Sequence, residues 1–293
     1  MSTQVPALLD GLVDDAAVFP PGSAPLPDAV AAHRRHRASW YADLVGPLLV
    51  PATRLAELAD LLDAGERIEV GVIGDVPVAR LDEARTGADP RIRVRQIEAA
   101  VAKRGEDPLP GLADLIGLAR RANRADGPAD GGLAVYAEVP LTFGLMGALD
   151  ALAAARADGL PVAAKFRTGG LAAELFPTPA ELAAVICACR DRGLPFKLTA
   201  GLHEAVRHLD PETGFAHHGF ANVLAATLAA ADGAAVARVA ELLTATDPRP
   251  LLQRVEGGLA ATRPLWVGFG SCSILEPLTD LIRLGLVNGG FDA

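Results

Sequence analysis

The sequence predicts an α/β protein, a closed (β/α)8 barrel of TIM type, on three observations. Short apolar runs alternate with amphipathic helical stretches along a chain of 293 residues. The runs are short and mostly apolar, as parallel strands are when helices cover both faces of the sheet. Eight strand–helix units close a ring, and this length is ordinary for one barrel domain.

The first unit is the faintest: a strand near Leu12 to Phe19, then a helix from Asp28 to Arg37. The second strand is Gly46 to Pro51, followed by a helical stretch from Thr53 to Asp63. Ile68 to Ile73 precedes Val78 to Arg85, and Ile92 to Glu98 precedes Leu112 to Asn123. Leu133 to Val139 precedes Met146 to Ala155, and Pro161 to Phe166 precedes Pro179 to Arg192. Pro195 to Thr199 is the seventh strand, and Leu265 to Phe269 the eighth, before a helix from Pro277 to Leu284. One helix start is explicit: Thr178-Pro-Ala-Glu181 supplies a capping threonine, proline at the first position and glutamate three on. No linker divides the chain. The expectation is a single barrel domain over residues 1–293, with 201–262 a long helical insertion between strands seven and eight.

Composition narrows the function classes. The net charge of −9 and the lack of a basic stretch argue against a nucleic-acid surface. The longest apolar stretch, Ala221 to Ala231, is too short to span a bilayer. Met1 to Leu12 has neither the basic start nor the apolar core of a signal peptide. Three cysteines form neither a disulfide framework nor a zinc pattern. These features point to a cytoplasmic protein of small-molecule metabolism with no metal and no cofactor; homo-oligomers are common among such barrels.

Only three lysines occur: Lys103, Lys165 and Lys197. Arginine carries nearly all the positive charge, and arginine cannot do what a deprotonated lysine amine does. Two of the three fall at strand ends, and a barrel's chemistry lies at the carboxyl ends of its strands. The charged or polar residues at those ends are Asp14, Asp15, Asp75, Glu98, Glu138, Lys165, Arg167, Lys197, Thr199 and Ser271. Alternation puts Lys165 with Arg167 on one face, and Lys197 with Thr199. Two lysines on adjacent strands disfavour each other's protonation, which predicts a lowered pKa and a nucleophilic amine. Glu98 or Glu138 would then relay protons. The structural alternative is that the lysines pair with Glu98 and Glu138 in a buried ionic network.

Ala164-Lys165-Phe166-Arg167-Thr168-Gly169 resembles the Lys-x-x-Thr-Gly motif of class I aldolases of the deoxyribose-phosphate aldolase type. Phe196-Lys197-Leu198-Thr199-Ala200-Gly201 is similar to that family's seventh-strand motif. Tyr136-Ala137-Glu138 resembles the end of its fifth strand, and Gly268 to Ser273 its eighth-strand phosphate loop. The resemblance covers about Leu133 to Leu275. It implies a (β/α)8 lyase in which Lys165 forms a Schiff base with a small carbonyl substrate and Lys197 activates it electrostatically. Arg167 departs from the family's small residue and points to an anionic group held bidentately. Glu98 is the nearest substitute for the family's fourth-strand aspartate. Thr168, Thr199, Gly201, His203, Ser271 and Asp15 complete the expected substrate contacts.

Four of the six histidines fall between His203 and His218. That clustering supports a second hypothesis, a barrel isomerase or metal-dependent lyase using His203, His217 and a carboxylate. A third is a non-catalytic barrel that binds a small ligand.

Overall fold

The computed structural model describes residues 5–126 and 132–289. Eight parallel strands are hydrogen-bonded in a closed order: β1 (Val13–Asp15), β2 (Val45–Pro51), β3 (Ile68–Ile73), β4 (Ile92–Ala100), β5 (Ala134–Glu138), β6 (Val162–Arg167), β7 (Phe196–Thr199) and β8 (Trp266–Ser271), with β8 meeting β1. This is the expected (β/α)8 barrel. Helices follow the strands: α1 (Leu26–Arg37), α2 (Leu55–Asp60), α3 (Val78–Thr86), α4 (Leu109–Asp126), α5 (Leu145–Ala157), α6 (Pro179–Asp191), α7 (Phe220–Ala231), α8 (Val236–Thr244), α9 (Arg249–Glu256) and α10 (Leu275–Arg283).

The packing falls into two compact units. One comprises Ala16–His33 and Pro47–Phe166; the other holds the chain up to Asp15, Arg34–Gly46 and the chain from Arg167 onward. In the first, β2 to β6 pair in sequence order, and β6 is buried from Val162 to Phe166. Gln96 stands opposite Gly71 across the β3–β4 pair. A Cβ on Gly71 would come within 2.7 Å of the Gln96 amide nitrogen, so the glycine makes room for a buried polar side chain.

In the second unit, β8 pairs with β1 on one side and β7 on the other. Trp266 and Phe269 stack with centroids 5.7 Å apart, and Phe269 meets Phe220 of α7 at 5.9 Å. These aromatics pack the face of β8 against the helix. The 201–262 segment contains a short antiparallel hairpin (His208–Leu209 with Ala216–His217) and then α7, α8 and α9. Helix α7 is buried at ten of its twelve positions. Its buried Asn222 is fully used: its amide donates to the Leu242 and Ala245 carbonyls, and its oxygen accepts from the Arg207 amide. That is the condition for burying an amide without a penalty. Helix α6 starts with the capping box read from Thr178-Pro-Ala-Glu181: the Thr178 hydroxyl caps the Glu181 amide and the Glu181 carboxylate caps the Thr178 amide.

Two expectations are corrected. The first strand is three residues long, Val13–Asp15, and the chain turns immediately after it, with the Phe19 amide bonded to the Ala16 carbonyl. Pro20, Pro21 and Gly22 suit that turn and cannot extend the ladder. The segment expected as one insertion helix region also includes the hairpin. The first four residues of the Met1 to Leu12 stretch lie outside the described residues. Among the described residues no helix is long and apolar enough to cross a membrane.

Candidate active site

Lys165 sits two residues before the end of β6, beside Glu138 in the β5–β6 register. Glu138 stands opposite Ala100 of β4, which puts Glu98, two residues earlier, on the same face. The Lys165 Nζ is 2.8 Å from Glu98 Oε2 and 2.9 Å from Glu138 Oε2. Gln96 donates from Nε2 to Glu98 Oε1 at 2.9 Å. Lys165 and Glu98 are buried, with side chains 5% and 1% exposed, and Glu138 keeps 18%. Three strands thus bring two carboxylates to one ammonium.

This geometry reverses the expected pKa direction. Burial, the largest influence, pushes the Lys165 ammonium down; the attraction and hydrogen bonds of Glu98 and Glu138 together outweigh it and hold the pKa above the ordinary lysine value. A neighbouring lysine alone would lower the pKa; the pairing with Glu98 and Glu138, the structural alternative, is what the Lys165 ammonium forms.

Lys197 is paired too. Its Nζ contacts Asp14 Oδ2, across 183 residues of sequence. Both side chains are buried. In the sheet, Asp14 stands opposite Gly270 and Lys197 opposite Gly268, so the bridge spans two glycine positions of β8. Gly46 is equally needed: a Cβ there would lie 2.0 Å from Asp14 Oδ1. The activator role expected of Lys197 requires an uncompensated charge, and Asp14 compensates it.

Thr168 and Gly201 have structural work. The Thr168 amide donates to the Thr199 carbonyl at 2.9 Å, and its hydroxyl is within reach of the Thr199 and Ala200 carbonyls. A Cβ on Gly169 would lie 2.9 Å from the Gly201 Cα, and Gly201 itself has φ +76°. The Thr-Gly of one motif and the Ala-Gly of the other therefore form a backbone clasp between the loops after β6 and β7. Thr199 is half-buried and contributes its carbonyl to that clasp.

The remaining candidates are dispersed. Arg167 ends β6 and is exposed. Asp15 is buried opposite Ser271 in the β1–β8 register. The Ser271 hydroxyl donates to the Ser273 carbonyl at 2.7 Å and accepts from the Ser273 amide, so it closes its own turn.

The histidine segment divides into three environments. His203 Nδ1 is 3.0 Å from Glu276 Oε2 and 3.8 Å from Cys272 Sγ. His217 stacks on His208 and tilts against Phe176. His218 is buried; its Nε2 donates to the Pro177 carbonyl at 2.8 Å, and burial pushes its pKa down to about 4. Among the described residues, no group of three or more His, Cys, Asp and Glu side chains is arranged to hold a metal ion. His203 and His217, expected to share a site with a carboxylate, instead have separate partners.

Sequence reasoning assigned no role to Gln96, Cys272 or Glu276. Gln96 was visible only as a polar residue inside an apolar run. Cys272 was visible as the cysteine adjoining a strand-end serine.

The fold and these strand ends define a class: a (β/α)8 barrel with two buried strand-end lysines, each held by carboxylate. No model of a known protein family, no curated protein and no solved structure matches this chain.

Proposed function

We propose that the chain is a Schiff-base lyase of the aldolase kind, with Lys165 as nucleophile and a small anionic carbonyl compound as substrate. The observation that carries this reading is the contact of Lys165 Nζ with two carboxylates at 2.8 and 2.9 Å. A resting ammonium so placed can pass a proton to Glu98 or Glu138 as substrate enters, and the freed amine adds to the carbonyl carbon. The C–N bond forms, the π pair moves to oxygen, and the protonated carboxyl returns its proton to that oxygen. The nitrogen then gives one proton back to a carboxylate, that carboxyl passes it to the hydroxyl, and water leaves as the nitrogen lone pair forms the iminium ion. Activation thus comes from adjacent bases. Arg167, exposed at the end of the same strand, suits the substrate's anionic group.

Burying an ion cluster costs more than an apolar core of the same volume, so its presence at barrel strand ends favours a functional reason for it. Borohydride reduction with a panel of aldehydes and 2-oxo acids, followed by peptide mass mapping, tests the reading. The expected adduct is on Lys165 and is lost in Lys165→Arg; Lys103 and Lys197 are internal controls. No adduct across the panel, or adducts on Lys103 alone, would overturn it.

A second reading, a non-catalytic ligand-binding barrel, draws on the same ion pairing, because both buried lysines have carboxylate partners. It expects Lys165→Met to alter stability while leaving ligand binding and the biological role intact.

A further inference from the structure

Outside the lysine clusters, one group of reactive side chains has no assigned role. Cys272 follows directly on β8, His203 lies in the loop after β7, and Glu276 is in the first turn of α10. Cys272 Sγ and Glu276 Oε2 both face His203 Nδ1, at 3.8 and 3.0 Å. The other cysteines differ. Cys187 and Cys189 are buried in α6, where burial pushes the Cys189 thiol up to about 12. Cys272 is half-buried, its neighbour is an imidazole, and that imidazole is anchored by a carboxylate 57% exposed.

We propose that Cys272 is a nucleophilic site for electrophilic carbon, with His203 as its ion-pair partner and Glu276 as the residue that positions the imidazole. The cluster contains what such a site needs: a half-buried thiol, an imidazole beside it, and a carboxylate acceptor fixing the ring. His203 is pushed up to about 9, first by Cys272 and then, against the cost of burial, by Glu276. His217 repels His203 weakly from the hairpin, and Asp280 is engaged with the Ala205 amide. With a carbonyl compound, the C–S bond forms, the π pair moves to oxygen, and that oxygen takes the His203 proton. No redox change is involved. This site is independent of the Lys165 reading, and either can fail alone.

The test is alkylation of the full chain by iodoacetamide at pH 6 and pH 8, with each cysteine followed by peptide mass mapping. Sulfur displaces iodide, so the readout is the rate of C–S bond formation. An ordinary thiol slows roughly 75-fold between pH 8 and pH 6 as its thiolate fraction falls. Cys272 is expected to slow less than tenfold, and His203→Gln to restore the ordinary ratio. Glu276→Gln is expected to slow Cys272 about threefold at pH 6. Cys187 and Cys189 report on folding, since they react only when α6 opens. An ordinary pH ratio for Cys272 in the unaltered chain overturns the proposal without recourse to any variant. So does a folded His203→Gln variant that retains the shallow ratio.

Discussion

The two buried lysines solve the same problem unequally. Lys197 contacts Asp14, whose charge offsets its own. Lys165 meets two carboxylates, Glu98 and Glu138, with Gln96 bonded to the first. The pair at Lys197 suits a fixed structural tie between β1 and β7. The trio at Lys165 puts two carboxylates within reach of its proton. A lysine's rarity in the sequence therefore does not by itself give it a chemical role; the carboxylates around it shape what it can do.

The sharpest way to break the comparison is to remove each cation. Lys165→Met leaves two carboxylates without it, and destabilisation at the upper end of about 3–5 kcal/mol is expected in urea unfolding. Lys197→Met removes the cation beside Asp14 and should fall at the lower end of that range. Equal losses would mean that the second carboxylate at Lys165 is immaterial. Adding Asp14→Leu to Lys197→Met should recover most of the loss, because an apolar pair replaces the ionic one.

Smaller effects are expected from the glycines that make room for each cluster. Gly46→Ala drives a Cβ into the Asp14 carboxylate and should cost about 2–3 kcal/mol. Gly71→Ala meets Leu49 Cδ2 and the Nε2 and Cγ of Gln96, at longer range than the Cβ of Gly46→Ala meets Asp14, and should cost about 1 kcal/mol. The same unfolding measurement ranks them, and a reversed order would place the rigid cluster at Lys165.

The smallest effect near neutral pH concerns the charge state of Lys165. Its folded pKa is raised above the ordinary 10.5, so its contribution to stability is fully present below that value. The contribution is lost only as pH climbs through the higher folded pKa. Nitrogen NMR of the three lysines should accordingly find Lys165 as an ammonium throughout pH 7 to 10. A neutral amine in that range would restore the activation first expected from Lys197.

The fold was legible because its signals are local. Seven strands and the Thr178 capping box are written in adjacent residues, and structure and expectation differ there by a residue or two at the ends. The site was legible only in part. Glu98, Glu138, Lys165 and Lys197 were recognisable as strand-end charges, but which charge faces which depends on register, and register is a relation between distant segments. Asp14 and Lys197 are 183 residues apart. The three-residue β1 has too few positions for any periodicity to reveal which of Asp14 and Asp15 would meet the lysine. Thr168 and Gly201 read as substrate contacts because their motifs resembled a binding site; in the structure they join two loops.

That joint has a consequence for how the protein could vary. Gly169 and Gly201 touch backbone to backbone, so neither can acquire a side chain unless both loops separate. Insertions, natural or engineered, would be accommodated only beyond the joint. The long excursion from 201 to 262 begins there, as though the chain could be lengthened only after the knot was tied. A loop graft that respects residues 168 to 170 and 199 to 201 should keep the barrel rim intact while everything downstream of the knot is exchanged.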